Sequence, residues 1–146
     1  MNVKEATTTL QQHRDWVQNR HGSGKRADLR GADLRKVNFE GADLRFADLR
    51  AADLSGSILS QADMSNADLR GANLSEAVCI GTKFFNARLE GANLYGVDLR
   101  TAVMEYSQMA GVNMTSRFQQ ILKEKPKVEE KTQEQKQAHH KARETR

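Results

Sequence analysis

The chain has one cysteine, Cys79, no long apolar run, and no histidine between residues 27 and 116. A single cysteine excludes an internal disulfide, so no oxidising compartment is implied. No stretch approaches the roughly 20 apolar residues of a membrane-spanning helix. Residues 1–20 hold nothing that would serve as the apolar core of a signal peptide, and a cytoplasmic protein is the expectation. The hydrophobic fraction is 38% over 146 residues, and the mean hydropathy is −0.74. Both are low for a compact two-layer domain, so either the core is thin or part of the chain does not fold.

Catalytic constellations are equally scarce. His13, His21, His139 and His140 all lie outside 27–116, so a nucleophile in that stretch has no imidazole base beside it. No glycine-rich phosphate loop opens a helix, and no metal-ligand spacing occurs. The adjacent pair His139–His140 reads as surface, and His13 as a packing or surface residue without a second ligand. No enzyme, cofactor or metal site is expected.

The net charge of +4 misleads as a whole-chain figure. Residues 1–26 carry five Lys/Arg against two Asp/Glu, residues 27–116 nine against twelve, and residues 117–146 nine against five. The ends are basic and the middle is mildly acidic, which weakens any case for nucleic-acid binding built on overall charge.

What the sequence does have is a repeat. From Ala27 to Ser116 it divides into eighteen five-residue units without insertion. The first position is Ala in twelve units, the second is Asp or Asn in twelve, and the third is Leu, Phe or Met in seventeen, with Cys79 the exception. A period of five fits neither a sustained helix nor a sustained strand. Positions one and three, two residues apart, point to the same side of an extended segment, and position two points away. Positions four and five turn the chain. Such a unit buries its apolar pair only by stacking on neighbours.

The tandem A-[DN]-L-x-x units resemble the pentapeptide repeat family. The resemblance implies an all-β solenoid, a right-handed quadrilateral β-helix with four units per square coil. Eighteen units then make about 4.5 coils, roughly 20–25 Å long at the spacing of stacked strands. Gly31, Ala51, Gly71, Gly91 and Gly111 recur every twenty residues and fit that coil. The core columns become Leu29/Leu49/Leu69/Leu89/Met109, Leu34/Leu54/Leu74/Leu94/Met114, Phe39/Leu59/Cys79/Leu99 and Leu44/Met64/Phe84/Met104. Cys79 reads as a small buried hydrophobe.

Solenoid ends need covering, and short helical caps are expected at both. Residues 1–26 supply a capping helix and linker. Thr9-x-x-Gln12 opens it as a capping box, Leu10, Trp16 and Val17 form its apolar face, and Gly22 stops it. Residues 117–125 supply a second cap through Phe118, Ile121 and Leu122, ended by Pro126. Residues 126–146, nearly devoid of apolar residues, are expected to form a disordered charged tail.

Two surface features remain. Asp28/Arg30, Asp48/Arg50 and Asp68/Arg70 would stack as a self-neutralising lattice. Apolar residues also replace polar ones at Phe46, Ile58, Val78, Ile80, Phe85, Tyr95, Val103 and Tyr106. Under the inferred register Ile58, Val78 and Ile80 share the third side of the coil, and Phe85, Val103 and Tyr106 the fourth. Either these form a partner surface, or they are scattered singles that need no explanation. The expected function is a non-catalytic, bacterial, protein-binding scaffold, a monomer or weak dimer, with another protein as partner and nucleic acid unlikely. The alternative implied by the resemblance is a DNA-mimic protector or inhibitor of type II topoisomerase (gyrase). A mildly acidic body with interleaved arginines and a basic tail departs from that pattern.

Overall fold

The computed structural model describes residues 3–20, 22, 24–104 and 111–113. The chain divides into a unit Met1–Met114 and a unit Thr115–Arg146, and the second lies outside the described residues. So do Tyr106, Met109, Met114, Phe118, Ile121 and Leu122, and with them the cap expected over 117–125 and the tail expected over 126–146.

Each unit of the repeat folds alike because the same few bonds recur. The third residue's carbonyl accepts from the N–H of the next unit's first residue, as from Ala32 to Leu29 (3.1 Å) and from Ala52 to Leu49 (3.0 Å). The turn closed in this way needs a left-handed residue at its third place. Every fifth position from Gly31 to Gly96 has positive φ, whether the residue is glycine, as at Gly31 (63°), or not, as at Lys36 (56°), Ala51 (57°) and Glu76 (59°). Glycine's frequency at this position thus reflects backbone conformation.

Successive turns of chain then stack. Parallel one-residue bridges join residues twenty apart. The four columns are Asp28–Asp48–Asp68–Arg88, Asp33–Asp53–Asn73–Asn93–Asn113, Asn38–Ile58–Val78 and Asp43–Asp63–Lys83–Val103, called here the first to fourth sides. On each side the third-position N–H donates to the next coil, as from Leu29 to the Asp48 carbonyl (2.8 Å), and the second-position N–H donates to the coil before, as from Asp48 to Ala27 (3.0 Å). Backbone groups of stacked units are satisfied between coils, where a sheet would satisfy them between strands.

The interior is a stack of first and third positions. Leu29, Leu49, Leu69 and Leu89 on the first side are at most 1% exposed, as are Leu34, Leu54, Leu74 and Leu94 on the second. Phe39, Leu59, Cys79 and Leu99, with Leu44, Met64 and Phe84, are also buried. Met104 departs from the column, being only half-buried. Small first-position residues such as Ala47, Ala52 and Ala62 fill the space between large ones at 0% exposure. Ser57 takes an alanine's place there, and its buried Oγ has no hydrogen-bond partner. Removing an unpaired buried hydroxyl removes a desolvation cost of about 1 kcal/mol or more. Ser57→Ala should therefore leave stability unchanged or raise it by about 1 kcal/mol, read from urea unfolding; a loss above that size would contradict the assignment.

Helix α1 spans Val3–Gln18. Ala6, Leu10, His13 and Val17 recur on one face; Ala6 and His13 are buried, and Leu10, Trp16 and Val17 are half-buried. The expected capping box at Thr9 is not the helix start. The helix begins six residues earlier, and the Thr9 hydroxyl donates back to the Glu5 carbonyl (2.9 Å), a mid-helix use of threonine that competes with capping. Nor does Gly22 stop it: Arg20 adopts φ 52° just past the end, while the Asn19 side-chain amide donates to the Asp15 carbonyl (2.9 Å). The return passes through Lys25, whose N–H donates to the Gln12 carbonyl (3.0 Å), and Ala27, whose N–H donates to His13 Nδ1 (2.9 Å).

Candidate functional site

The outward face of each side is built from positions two and four. At position two, Asp and Asn do a job that the sequence reading left unexplained: their Oδ1 accepts the N–H of position four. Asn38 accepts from Glu40 (2.9 Å), Asp53 from Ser55 (3.0 Å) and Asn73 from Ser75 (3.0 Å). This Asx bond fixes the entry to each corner, so the residue type is structural before it is anything else.

Where position four is arginine, the same carboxylate also takes a two-pronged ion pair. Arg50 contacts Asp48 through Nε (2.9 Å) and Nη2 (2.7 Å), and Arg70 contacts Asp68 likewise at 2.8 and 2.6 Å. Arg30 and Arg50 reach one coil on, to Asp48 at 3.8 Å and Asp68 at 3.7 Å. The Arg30 guanidinium holds the Asp28 carboxyl down to about 2, and Arg35 does the same for Asp33. On the first side the acid and base exchange places at Arg88 and Glu90, 3.6 Å apart. Matched charges of this kind leave little free field for an anion or a cation. Among the described residues no group of three His, Cys, Asp or Glu side chains could hold a metal ion, and no helix is long and apolar enough to cross a membrane.

Cys79 sits in the core at 1% exposure. Burial pushes its thiol up to about 12, opposed by a hydrogen bond with Thr82. The thiolate is the reactive form, so the folded protein should show no reaction with a thiol-exchange reagent at neutral pH and one equivalent after denaturation. Rapid labelling of the folded state would overturn this placement.

The apolar candidates fall into separate groups. Ile58 and Val78 are bridged neighbours on the third side, 37% and 40% exposed, and Ile80 follows at 55%. Ile80 is two residues past Val78 and so points the same way. Around the corner, Phe85 (49%) and Val103 (51%) flank Lys83 on the fourth side. Tyr95 stands apart on the second side, in the unit of Asn93. Phe46 has an internal partner: its ring meets Trp16 edge-on at 6.2 Å, and its carbonyl accepts from Arg26 Nε (2.6 Å). Phe46 therefore belongs to the seat of α1, a use invisible without knowing where the helix docks.

A family model described as pentapeptide repeats matches in eight copies over residues 25–61, 62–100 and 82–116. No curated protein matches the chain. Among solved structures, a pentapeptide repeat protein of the Arabidopsis thaliana thylakoid lumen is 32% identical, with 59% of this chain and 60% of that one covered and a TM-score of 0.46. The pentapeptide repeat protein Rfr23 of the cyanobacterium Cyanothece 51142 is also 32% identical, with 66% and 65% covered and a TM-score of 0.33. QnrB1, a plasmid-mediated fluoroquinolone resistance protein, is 16% identical, with 67% and 62% covered and a TM-score of 0.35. The chain spans less than two thirds of each of these proteins.

Proposed function

Because this chain belongs to the pentapeptide repeat family, we propose that it is a non-catalytic protein-binding module. It is a right-handed, four-sided solenoid of about four and a half coils, eighteen units at twenty residues per turn, with helical segments closing both ends. It presents its third side and the adjoining part of the fourth to another protein. A cytoplasmic location and a monomeric or weakly dimeric state go with this reading.

The bridged pair Ile58–Val78 carries the proposal. At second positions, Ile and Val cannot accept the fourth-position N–H as Asp and Asn do elsewhere on the solenoid. Each gives up a local hydrogen bond and exposes apolar surface, two costs with no gain inside the fold. Ile80 extends the same strip. Polar rungs border it, Asn38 and Glu40 on one side and the ion pair Asp98–Arg100 (2.7 Å) on the other. An apolar centre with a polar rim is the usual anatomy of a binding surface.

A photo-crosslinking residue at position 80 tests this directly. Cross-links to one dominant protein in the native host should appear, and the double variant Ile80→Glu, Phe85→Glu, folded by circular dichroism, should lose that partner. A partner retained by the double variant would remove this surface from the account. The neutralised Asp–Arg first side argues against mimicry of DNA, so no protection of gyrase from a quinolone is expected at micromolar protein.

A further inference from the structure

We propose that helix α1 is latched to the first coil by neutral His13, and that protonating this imidazole releases the helix from the solenoid. His13 is 0% exposed, on the buried face of α1. Its Nδ1 accepts the N–H of Ala27 at 2.9 Å, the residue that begins the first coil. An acceptor nitrogen carries no proton, so the neutral ring has its hydrogen on Nε2. A second proton must go to Nδ1, setting one N–H against another and destroying the bond that joins helix to coil.

Nothing nearby is placed to accommodate the cation. Nε2 is buried without a hydrogen-bond partner. From the coil, the Arg45 carbonyl and the Asp43 carboxylate favour the charged form, while the Arg45 and Arg26 guanidinium groups oppose it. Asp43 is already committed to Arg45, with contacts of 3.0 and 2.7 Å. On the helix side the ring stacks on Trp16, centroids 5.7 Å apart. Burial holds the His13 pKa below the ordinary value of 6.5. Because the folded pKa is depressed, docking is at full strength above pH 6.5 and weakens as pH falls below it, by up to about tenfold per unit until the folded pKa is reached.

The rest of the contact is loose enough for one latch to matter. A partly open cleft of about 320 Å³ separates α1 from the first coil, between Leu10 and Ala6 on the helix and Val37 and Phe39 on the coil. Incomplete packing leaves the polar bond and the ring stack a larger share of the docking energy.

Trp16 is the chain's one tryptophan and stacks on His13, so its fluorescence reports the latch. Acidification from about pH 7.5 to about pH 5 should shift Trp16 emission and cut amide-exchange protection at Ala27 by at least about tenfold. Protection at Leu54 and Leu74, deep in the stack, should hold. In His13→Asn the side-chain oxygen can still accept from Ala27 but does not titrate, so both pH effects should vanish. Ala27 protection that is flat with pH in the unaltered protein would overturn the latch, even if the variant fails to fold. An unchanged pH profile in a folded His13→Asn protein would overturn it too.

Discussion

Leu69→Ala should lower the free energy of unfolding by about 2–5 kcal/mol, toward the upper end of that range. Leu69 is 0% exposed between Leu49 and Leu89 in the first-side column. The loss depends on how far neighbours can move into the vacated space. Here they are pinned: the Leu49 N–H donates to the Asp68 carbonyl and the Leu69 N–H to the Arg88 carbonyl, both at 2.8 Å. Rungs held at about 4.8 Å cannot close on a missing side chain without breaking bonds on both coils. Each repeat is stabilised mainly by its neighbours, so a defect at mid-stack weakens two interfaces at once. Urea unfolding followed by circular dichroism gives the value. A loss below about 1 kcal/mol would show that the column relaxes. The half-buried Met104 is the natural control, and truncating it should cost less.

Gly24→Ala should cost about 2–4 kcal/mol and unseat α1, the sum of left-handed backbone strain and overpacking. Gly24 has φ +76°, and a Cβ there would run into the Gln12 carbonyl oxygen, lie 2.6 Å from the Trp16 nitrogen and 2.9 Å from the Asp15 Cβ. Two of those three contacts are backbone of α1, so no rotamer change relieves them. The comparison is Gly31→Ala: φ is +63° with nothing within 4 Å, and Ala51 already occupies the equivalent corner one coil on at φ 57°. That change should cost no more than about 1–2 kcal/mol. Trp16 emission together with thermal unfolding separates the two variants. Equal behaviour would mean that the helix adapts around residue 24.

The repeat was legible because its period is enforced residue by residue. A small residue, an Asx acceptor, a large apolar residue and a left-handed corner are each local requirements, and each leaves a compositional mark. The first helix was half legible: its apolar face at Leu10, Trp16 and Val17 showed, but Thr9 imitated a start because a threonine hydroxyl that bonds back to Glu5 looks the same in sequence as one that caps. The roles of Phe46 and His13 were not legible at all. Phe46 reads as an exposed apolar lapse until Trp16 is placed on it, and His13 reads as an ordinary surface histidine until the N–H of Ala27 arrives at its ring.

By itself, the sequence determined the five-residue unit, which of its positions face inward, and the membership of the four core columns over the described coils, because those follow from contacts within a unit and a fixed step of twenty. Tertiary structure alone decided where α1 lies, which polar groups it buries, and which apolar residues stay uncovered. Those outcomes depend on segments fourteen to twenty residues apart, such as His13 with Ala27 and Arg26 with Phe46. Their meeting is set by how the helix docks and by no periodicity in the chain.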